Sequence, residues 1–293
     1  MYQDTNYPEI TSEDRIALLK EAYLFSCKKD VEVLKPGNVH ITSPHKDTDS
    51  DDYINSSLYS SENLFLKNSN LGDRIFSSVE STRKLIKKNT NLGIILVCAP
   101  LIHSLLQYHT YPLKEALSLS IKNATINDTL LICKAINLAN PGGLGESKQY
   151  DTKSLPNIPL IEIMECSSKY DRIAYQYTNM FKDVLDFVVP CLNGYQKRYK
   201  SLNLSISLTF LEILSNIPDS HIQRKFGHKI AKKTSNQAND LLKILVTDRI
   251  NRDLFNQHLN ELDYEYKKQG INPGTTADLL VAGLMIKKIF KNT

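Results

Sequence analysis

Apolar residues recur at three- and four-residue spacing through most of the chain, and this helical period limits the fold more than any other feature. Thr11 can cap a first helix whose apolar stripe includes Leu19 and Tyr23. The same spacing predicts helices near Asp49, near Asp73, after Asn91, at Pro112, after Thr125, and over 168–189, 204–214, 219–232, 235–246, 252–267 and 275–290. Strand signals are few, the clearest being the alternation over 160–164. We predict an all-α fold, a bundle of about ten helices with its site at loop corners.

The chain of 293 residues has no internal repeat and no Gly/Ser-rich linker. A chain of this length can bury roughly three quarters of its unfolded surface in one core. We therefore predict a single domain over residues 1–293.

Charge and cysteine content exclude several classes of protein. There are 36 Lys and Arg against 32 Asp and Glu, a thin excess that does not predict nucleic-acid binding. The five cysteines are widely spaced and form no CxxC pair, which disfavours a disulfide framework or a zinc ribbon. We expect a protein of a reducing compartment.

No segment is typical of a membrane span or a signal peptide. The most apolar run, over 92–106, is short for a span and is interrupted by Pro100. The first thirty residues carry several acids and lack an apolar core segment. We expect a soluble cytoplasmic protein that binds neither membrane nor nucleic acid.

The connection over 35–49 is longer than most helix–helix connections and is rich in polar groups. Lys35 offers a positive charge, Gly37 a close backbone approach, and Asn38 an amide. His45 follows with a cluster of acids that includes Asp47 and Asp49. The acids either bind Mg²⁺ together with substrate phosphates or complement the start of the second helix, and their spacing favours neither role.

Asn89, Asn91 and Gly93 open the most apolar helix, where exposed amides could bind an anion or a carbonyl. A simple N-cap explains this segment equally well and is the more economical interpretation of it alone.

The second long connection contains Gly142, Gly143 and Gly145, followed by Glu146. Backbone amides of such a loop can surround a phosphate, although the segment is neither a Walker A motif nor a dinucleotide fingerprint. A flexible turn is the alternative interpretation.

A fourth polar corner begins with Asn272 and Gly274, continues with Thr275 and ends at Asp278. It is typical of a helix start, and Asp278 could also bind a metal or a ribose. If the four corners meet at one end of the bundle, they form a pocket suited to a nucleoside triphosphate.

Taken in order, six motifs resemble those of the triphosphoribosyl-dephospho-CoA synthase family over nearly the whole chain. They are Lys-Pro-Gly-Asn-Val-His (35–40), His-Lys-Asp-x-Asp (45–49), Asn-Thr-Asn-Leu-Gly (89–93), Gly-Gly-Leu-Gly-Glu (142–146), Asp-Arg-Ile-Ala (171–174) and Asn-Pro-Gly-Thr-Thr-Ala-Asp-Leu (272–279). The resemblance implies an all-α enzyme that transfers a triphosphoribosyl group from ATP to the ribose 2′-hydroxyl of 3′-dephospho-CoA, with release of adenine.

The resemblance also implies roles for individual residues and a requirement for Mg²⁺. Asp49, Glu146 and Asp278 are the candidates for metal or general-base chemistry, and Asp47, Asp49 and Asp171 for metal ligation, with capping as the alternative for Asp171. His45 could orient a phosphate or the leaving purine. The expected nucleotide-binding residues are Lys35, Gly37, Asn38, His45, Asn89, Asn91, Gly93, Gly142, Gly143, Gly145, Asn272, Gly274 and Thr275.

Two departures from the family pattern concern the acceptor. Asn91-Leu92-Gly93 stands where citrate-lyase-type members have His-Lys-Gly, and Leu144 stands where they have Arg. Taken with these departures, the resemblance implies that the acceptor is either dephospho-CoA or a related cofactor precursor. One alternative function is that of a kinase-like, ATP-dependent enzyme of pterin or C1-carrier synthesis. Another is that of a non-catalytic nucleotide-binding protein. The sequence also allows a homodimer.

Overall fold

The computed structural model of the protein describes residues 11–45, 47–142, 152–247 and 252–291. Within these ranges the chain forms no β-strand, only an isolated bridge between His40 and Ser43, so the predicted all-α class is confirmed. The described ranges contain fourteen α-helices rather than ten. The helices are α1 (Ser12–Glu32), α2 (Ser50–Leu64), α3 (Leu71–Ile86), α4 (Leu92–Gln107), α5 (Leu113–Lys122), α6 (Ile126–Ala139), α7 (Leu160–Ser168), α8 (Arg172–Thr178), α9 (Val189–Tyr199), α10 (Leu202–Asn216), α11 (Ser220–Phe226), α12 (His228–Thr247), α13 (Arg252–Lys268) and α14 (Gly274–Lys291).

The extra helices arise where the predicted ones divide. The segment over 168–189 is not one helix, because Asp171 caps a new helix at α8 and a π-helical segment, Asp183–Val188, precedes α9. Gly227, with φ of +84°, separates α11 from α12. The strand-like alternation over 160–164 lies in α7, because a run of five residues is too short to distinguish the two periods.

Side-chain caps fix the helix starts that the sequence indicated. Thr125 accepts a hydrogen bond from the Asp128 amide at 3.1 Å, and the Asp128 carboxylate accepts one from the Thr125 amide at 2.7 Å. Asp49 and Asp52 form the same reciprocal capping box at the start of α2. These boxes determine where the connections end and the helices begin.

Helix α14 occupies the centre of the described structure, where it packs against α1, α4, α8, α9, α10 and α11. Its close approach to the π-helical segment requires Gly283, because a Cβ atom there would lie 2.4 Å from Val188 Cγ1. Buried apolar side chains from α1 through α14 form one contiguous cluster. The start of α14 is consequently surrounded by neighbouring elements, and the candidate site lies there.

No helix within the described ranges combines the length and the apolar character needed to cross a lipid bilayer.

Candidate active site

Hydrogen bonds join the N-termini of α8, α11 and α14. The amide of Arg172 in α8 donates to Ser220 Oγ in α11 at 3.2 Å, and Ser220 Oγ lies 3.0 Å from Thr275 Oγ1 in α14. Each helix start carries the positive end of a helix dipole. Three of them together form a region suited to a polyanion.

Asp219 fixes the geometry between two of these helix starts. Its Oδ1 accepts a hydrogen bond from the Ile222 amide at 3.0 Å and so caps α11. Its Oδ2 accepts hydrogen bonds from the Thr276 amide and hydroxyl, each at 2.8 Å. Because Asp219 is buried and fully engaged, we assign it a positioning role.

The start of α4 reaches the same region through Gly93 and Asp278. A Cβ atom at position 93 would lie 1.9 Å from Asp278 Oδ2, so any side chain there would displace the carboxylate. Because Gly93 has no side chain, the Asp278 carboxylate can occupy this space. A fourth helix N-terminus thus borders the site.

The Asp278 carboxylate is partly exposed and forms no hydrogen bond within the described part of the chain. Its enclosure by protein raises its pKa well above the usual carboxyl value, and the negative charges of Asp30, Asp219 and Asp171 raise it further. Arg224 opposes this shift. An open carboxyl group with a raised pKa can hold or accept a proton.

Asp171 and Arg224 form the charged edge of the site. Asp171 Oδ1 accepts hydrogen bonds from the amides of Ile173 at 2.7 Å and Ala174 at 3.1 Å, and Oδ2 contacts Arg224 Nη1. One helical turn before Arg224, burial lowers the pKa of His221 and favours its neutral form. The ring of His221 packs against the backbone of Gly274, where a Cβ atom would lie 2.9 Å from Nδ1.

The loop over 35–38 lies against the segment that precedes α14. Gly37, with φ of +79°, donates its amide to Asp263 Oδ1 at 2.9 Å, and a Cβ atom there would lie 2.7 Å from the Ile271 carbonyl oxygen. Asn38 Nδ2 donates to Asn272 Oδ1 at 3.1 Å. Two corners separated by more than two hundred residues are therefore in direct contact.

The sequence model of the ATP:dephospho-CoA triphosphoribosyl transferase family matches residues 16–293. The chain belongs to this family. A solved structure, described as a putative triphosphoribosyl-dephospho-CoA synthase from Archaeoglobus fulgidus, has 20% sequence identity and a TM-score of 0.62. The match covers 80% of this chain and 97% of that one, and it shows a shared fold. No curated protein matches the chain.

Lys35, one of the predicted nucleotide-binding residues, is buried, and its side chain is 0% exposed. Its Nζ lies 3.2 Å from Asp30 Oδ1 and also contacts the Asp30 carbonyl oxygen. A buried ion pair of this kind fixes the end of α1 beneath the 35–38 loop, so Lys35 holds this loop in place, and its contact with the nucleotide stays a prediction.

The remaining predicted residues of the 35–49 segment have structural partners. His45 Nε2–H donates to the Gly37 carbonyl at 2.9 Å, and burial lowers the pKa of the ring. The neutral ring then offers Nδ1 only as an acceptor, which suits a purine N–H better than a phosphate. Asp49 caps α2, while Asp47 is exposed nearby, so their proposed role in metal binding stays a prediction.

Predictions for the two glycine- and asparagine-rich corners have different outcomes. Asn91 donates to the Ser56 carbonyl at 3.1 Å and holds the start of α4 in place, whereas Asn89 is exposed. Gly142 is exposed, and a Cβ atom there would meet no other atom within 4 Å. The other predicted residues of that loop, Gly143, Gly145 and Glu146, lie outside the described residues.

Sequence reasoning missed the contribution of α11 to the candidate site. Its start places Asp219 as a cap and puts His221 and Arg224 three residues apart, a spacing at which side chains are neighbours on one helix face. A capping acid followed by such a basic pair was the available signal. The buried carboxylate of Asp30, which pairs with Lys35, was also absent from the predicted site residues.

The described residues contain no ready cluster of three or more metal-binding side chains. Mg²⁺ does not require one, because it is usually bound by one or two carboxylates, with phosphates and water completing its shell. Asp278 has no protein hydrogen bond in the described ranges, and the acids around it raise its pKa. A cation would relieve that repulsion, so the residues fit Mg²⁺ bound together with a triphosphate.

Proposed function

We propose that this protein transfers the triphosphoribosyl group of ATP to the ribose 2′-hydroxyl of 3′-dephospho-CoA or a related cofactor precursor. The 2′-oxygen forms a bond to C1′ of the ATP ribose, the bond from C1′ to N9 of adenine breaks, and the hydroxyl proton ultimately leaves with adenine. Family membership and the open Asp278 carboxyl group among four helix N-termini support this proposal.

In the proposed reaction, the triphosphate binds where α4, α8, α11 and α14 begin. Amides of these helix starts that no side chain already engages donate to phosphate oxygens, and Arg224 adds a positive charge at the edge. The triphosphate is retained in the product, so the site must bind it without promoting hydrolysis. Fixed backbone donors meet that need because they bind charge without supplying a nucleophile.

Asp278 is the proposed general base. Its raised pKa brings it towards the operating pH, where a carboxylate can accept the proton of a sugar hydroxyl. In its ionised form it also stabilises the positive charge that develops at C1′ during glycosyl transfer. Gly93 is required for both roles because it leaves the carboxylate its space.

Asp278 and Asp171 are the residues proposed to hold Mg²⁺, which would neutralise part of the triphosphate charge. Asp171 would exchange part of its contact with Arg224 for the metal. Asp47 and Asp49, at the start of α2, lie near Lys88; the hydrogen bond from Lys88 to Asp52 raises the pKa of that lysine, and the charges of Asp49 and Asp47 raise it further. They are secondary candidates that could approach a longer ligand.

Release of free adenine tests the proposal. The protein is incubated with ATP, Mg²⁺ and dephospho-CoA, and the products are separated by chromatography; we expect adenine and adduct in equal amounts. Reactions without dephospho-CoA and with Asp240→Asn, an exposed carboxylate on α12, serve as controls. ADP in place of adenine would indicate the kinase-like alternative, and ATP binding without any product would indicate a non-catalytic protein. Either outcome contradicts the proposal.

A further inference from the structure

A polar cavity of about 370 Å³ lies away from the Asp278 site, where α3, α4, α5 and α6 meet. His103 in its wall is ten residues along α4 from Gly93, a separation of roughly 15 Å on a helix. The volume is within the range of small-molecule pockets, and none of the predicted site residues lines it.

His103 presents a fixed donor to this cavity. Arg74 Nε donates to His103 Nδ1 at 3.2 Å, so the neutral ring carries its proton on Nε2. Burial and the charge of Arg74 lower the pKa of His103 to about 4, which keeps the ring neutral at physiological pH. Nε2–H has no protein partner among the described residues.

Arg74, directly behind His103, is a buried cation without a carboxylate partner in the described ranges. It is completely buried; its Nη1 donates to the Leu64 carbonyl at 2.7 Å, while Nη2 has no hydrogen bond. An uncompensated buried charge is costly and attracts an anion to the nearest accessible position. That position is the cavity side of His103.

Ser120 provides a second donor without a partner. It lines the cavity, is 1% exposed, and its hydroxyl makes no hydrogen bond in the described structure. Buried hydroxyl groups are nearly always paired, so one that faces a cavity indicates a ligand or water there.

The Asp128 carboxylate also lines the cavity, but its charge is already compensated. It accepts hydrogen bonds from the Gly72 amide at 2.7 Å and from both the Thr125 amide and hydroxyl at 2.7 Å. These amides belong to the starts of α3 and α6. The buried donors of the cavity wall that remain unused are those of His103 and Ser120.

We propose that this cavity binds the oxyanion group of a small molecule, a carboxylate or a tetrahedral oxyanion, through His103 Nε2–H and Ser120 Oγ–H. Arg74 supplies the compensating positive charge through the His103 ring. This is a second ligand site that does not depend on the proposed transferase reaction.

The test is an NMR titration of the full chain, labelled with ¹⁵N-histidine, with sulfate as the probe. The His103 ring is assigned by the loss of its signals in His103→Gln, and it should stay neutral down to a pH of about 4. We expect its Nε2 resonance to shift with saturation, and the affinity to fall roughly tenfold or more in Ser120→Ala. Ser78→Ala is the matched control, because its buried hydroxyl donates to the Ser60 carbonyl outside the cavity.

Two further measurements complete the test. Sulfate affinity should be constant between pH 5.5 and 8, because His103 is a neutral donor; a loss as the pH rises would indicate a charged histidine and overturn the proposal. Tighter binding of acetate than sulfate would assign the site to carboxylates. If neither anion shifts the ring, or if Ser120→Ala binds as the unaltered chain does, the cavity holds water only and the proposal fails.

Discussion

Asp128 and Asp278 lie at opposite ends of α4, and their surroundings differ in a way that separates stability from function. Asp128 receives three hydrogen bonds from the starts of α3 and α6. Asp278 receives none within the described part of the chain and lies among other acids that raise its pKa. The first carboxylate uses its charge to hold helices together, and the second is left available for a ligand.

The glycines beside these two acids show the same difference. A Cβ atom at Gly72 would lie 2.5 Å from Asp128 Cα, so this glycine permits close packing of α3 on α6. A Cβ atom at Gly93 would instead meet the carboxylate group of Asp278. One glycine allows two backbones to pack, and the other leaves room for a reactive group.

Asp278→Asn should produce the largest effect. It removes the proposed base and metal ligand, and we expect turnover to fall roughly 10²- to 10⁴-fold. The same change removes a charge repelled by Asp30, Asp171 and Asp219. Without ligands, Tm at neutral pH should therefore rise, by roughly 2 to 4 °C if the relief is about 1 kcal/mol. Adenine release and thermal unfolding measure the two effects.

Asp128→Asn is the counterpart that tests the comparison. Its amide –NH₂ would face a backbone N–H of Gly72 or Thr125, which leaves a buried donor unpaired at a cost of about 1 to 3 kcal/mol. Stability should fall while turnover per folded molecule remains. If Asp278→Asn lost stability and kept its activity, the two acids would have the reverse of the roles assigned here.

The pH dependence of stability follows from the raised pKa of Asp278. The folded chain retains this proton at pH values where the unfolded chain has released it. The resulting stabilisation is complete below the unfolded carboxyl pKa of about 3.9 and is lost as the pH rises through the folded value. In Asp278→Asn, the free energy of unfolding should lack this contribution to its decline with rising pH. Denaturant unfolding at a series of pH values can measure the difference.

Gly93→Ala should have an intermediate effect. The new methyl group would displace Asp278 or part the starts of α4 and α14, at a cost of about 1 to 3 kcal/mol and at least roughly tenfold in activity. Gly194→Ala in α9 is the control, because no atom lies within 4 Å of its added carbon. We expect that change to stabilise the helix by about 0.5 to 1 kcal/mol. Equal behaviour of the two variants would contradict the packing described.

Local features of the fold were predictable from the sequence, because they depend on neighbouring residues. The Thr125–Asp128 capping box and the start of α4 after Asn91 were found where expected. The break at Gly227 was not predicted, because a glycine inside an apolar period indicates a helix end only if its backbone adopts a positive φ.

The site was only partly predictable, because burial and pairing depend on distant segments. Helix-start motifs identified Gly93, Gly274 and Asp278, which the structure brings to one region. The burial of Lys35 against Asp30 was not predictable, because no local pattern reveals it. Asp219 was missed because its function is a contact to Thr276, far along the chain.

Asp49→Asn should have the smallest effect and extends the comparison to a third acid. Asp49 Oδ1 accepts a hydrogen bond from the Asp52 amide at 3.0 Å, and asparagine caps helices about as well as aspartate. The substitution therefore removes the charge and preserves the cap. We expect the free energy of unfolding to change by less than about 0.5 kcal/mol. Turnover should stay within a few-fold, measured by adenine release at several Mg²⁺ concentrations.

The dependence on Mg²⁺ decides between the two roles of Asp49. If its carboxylate only caps α2, the Mg²⁺ concentration for half-maximal rate will be the same in Asp49→Asn and in the unaltered chain. A hundredfold loss of turnover that excess Mg²⁺ partly restores would place Asp49 with Asp278 among the ligand-binding acids. Of the three acids compared, Asp128 alone would then have a purely structural role, because its hydrogen bonds leave no comparable capacity for a metal.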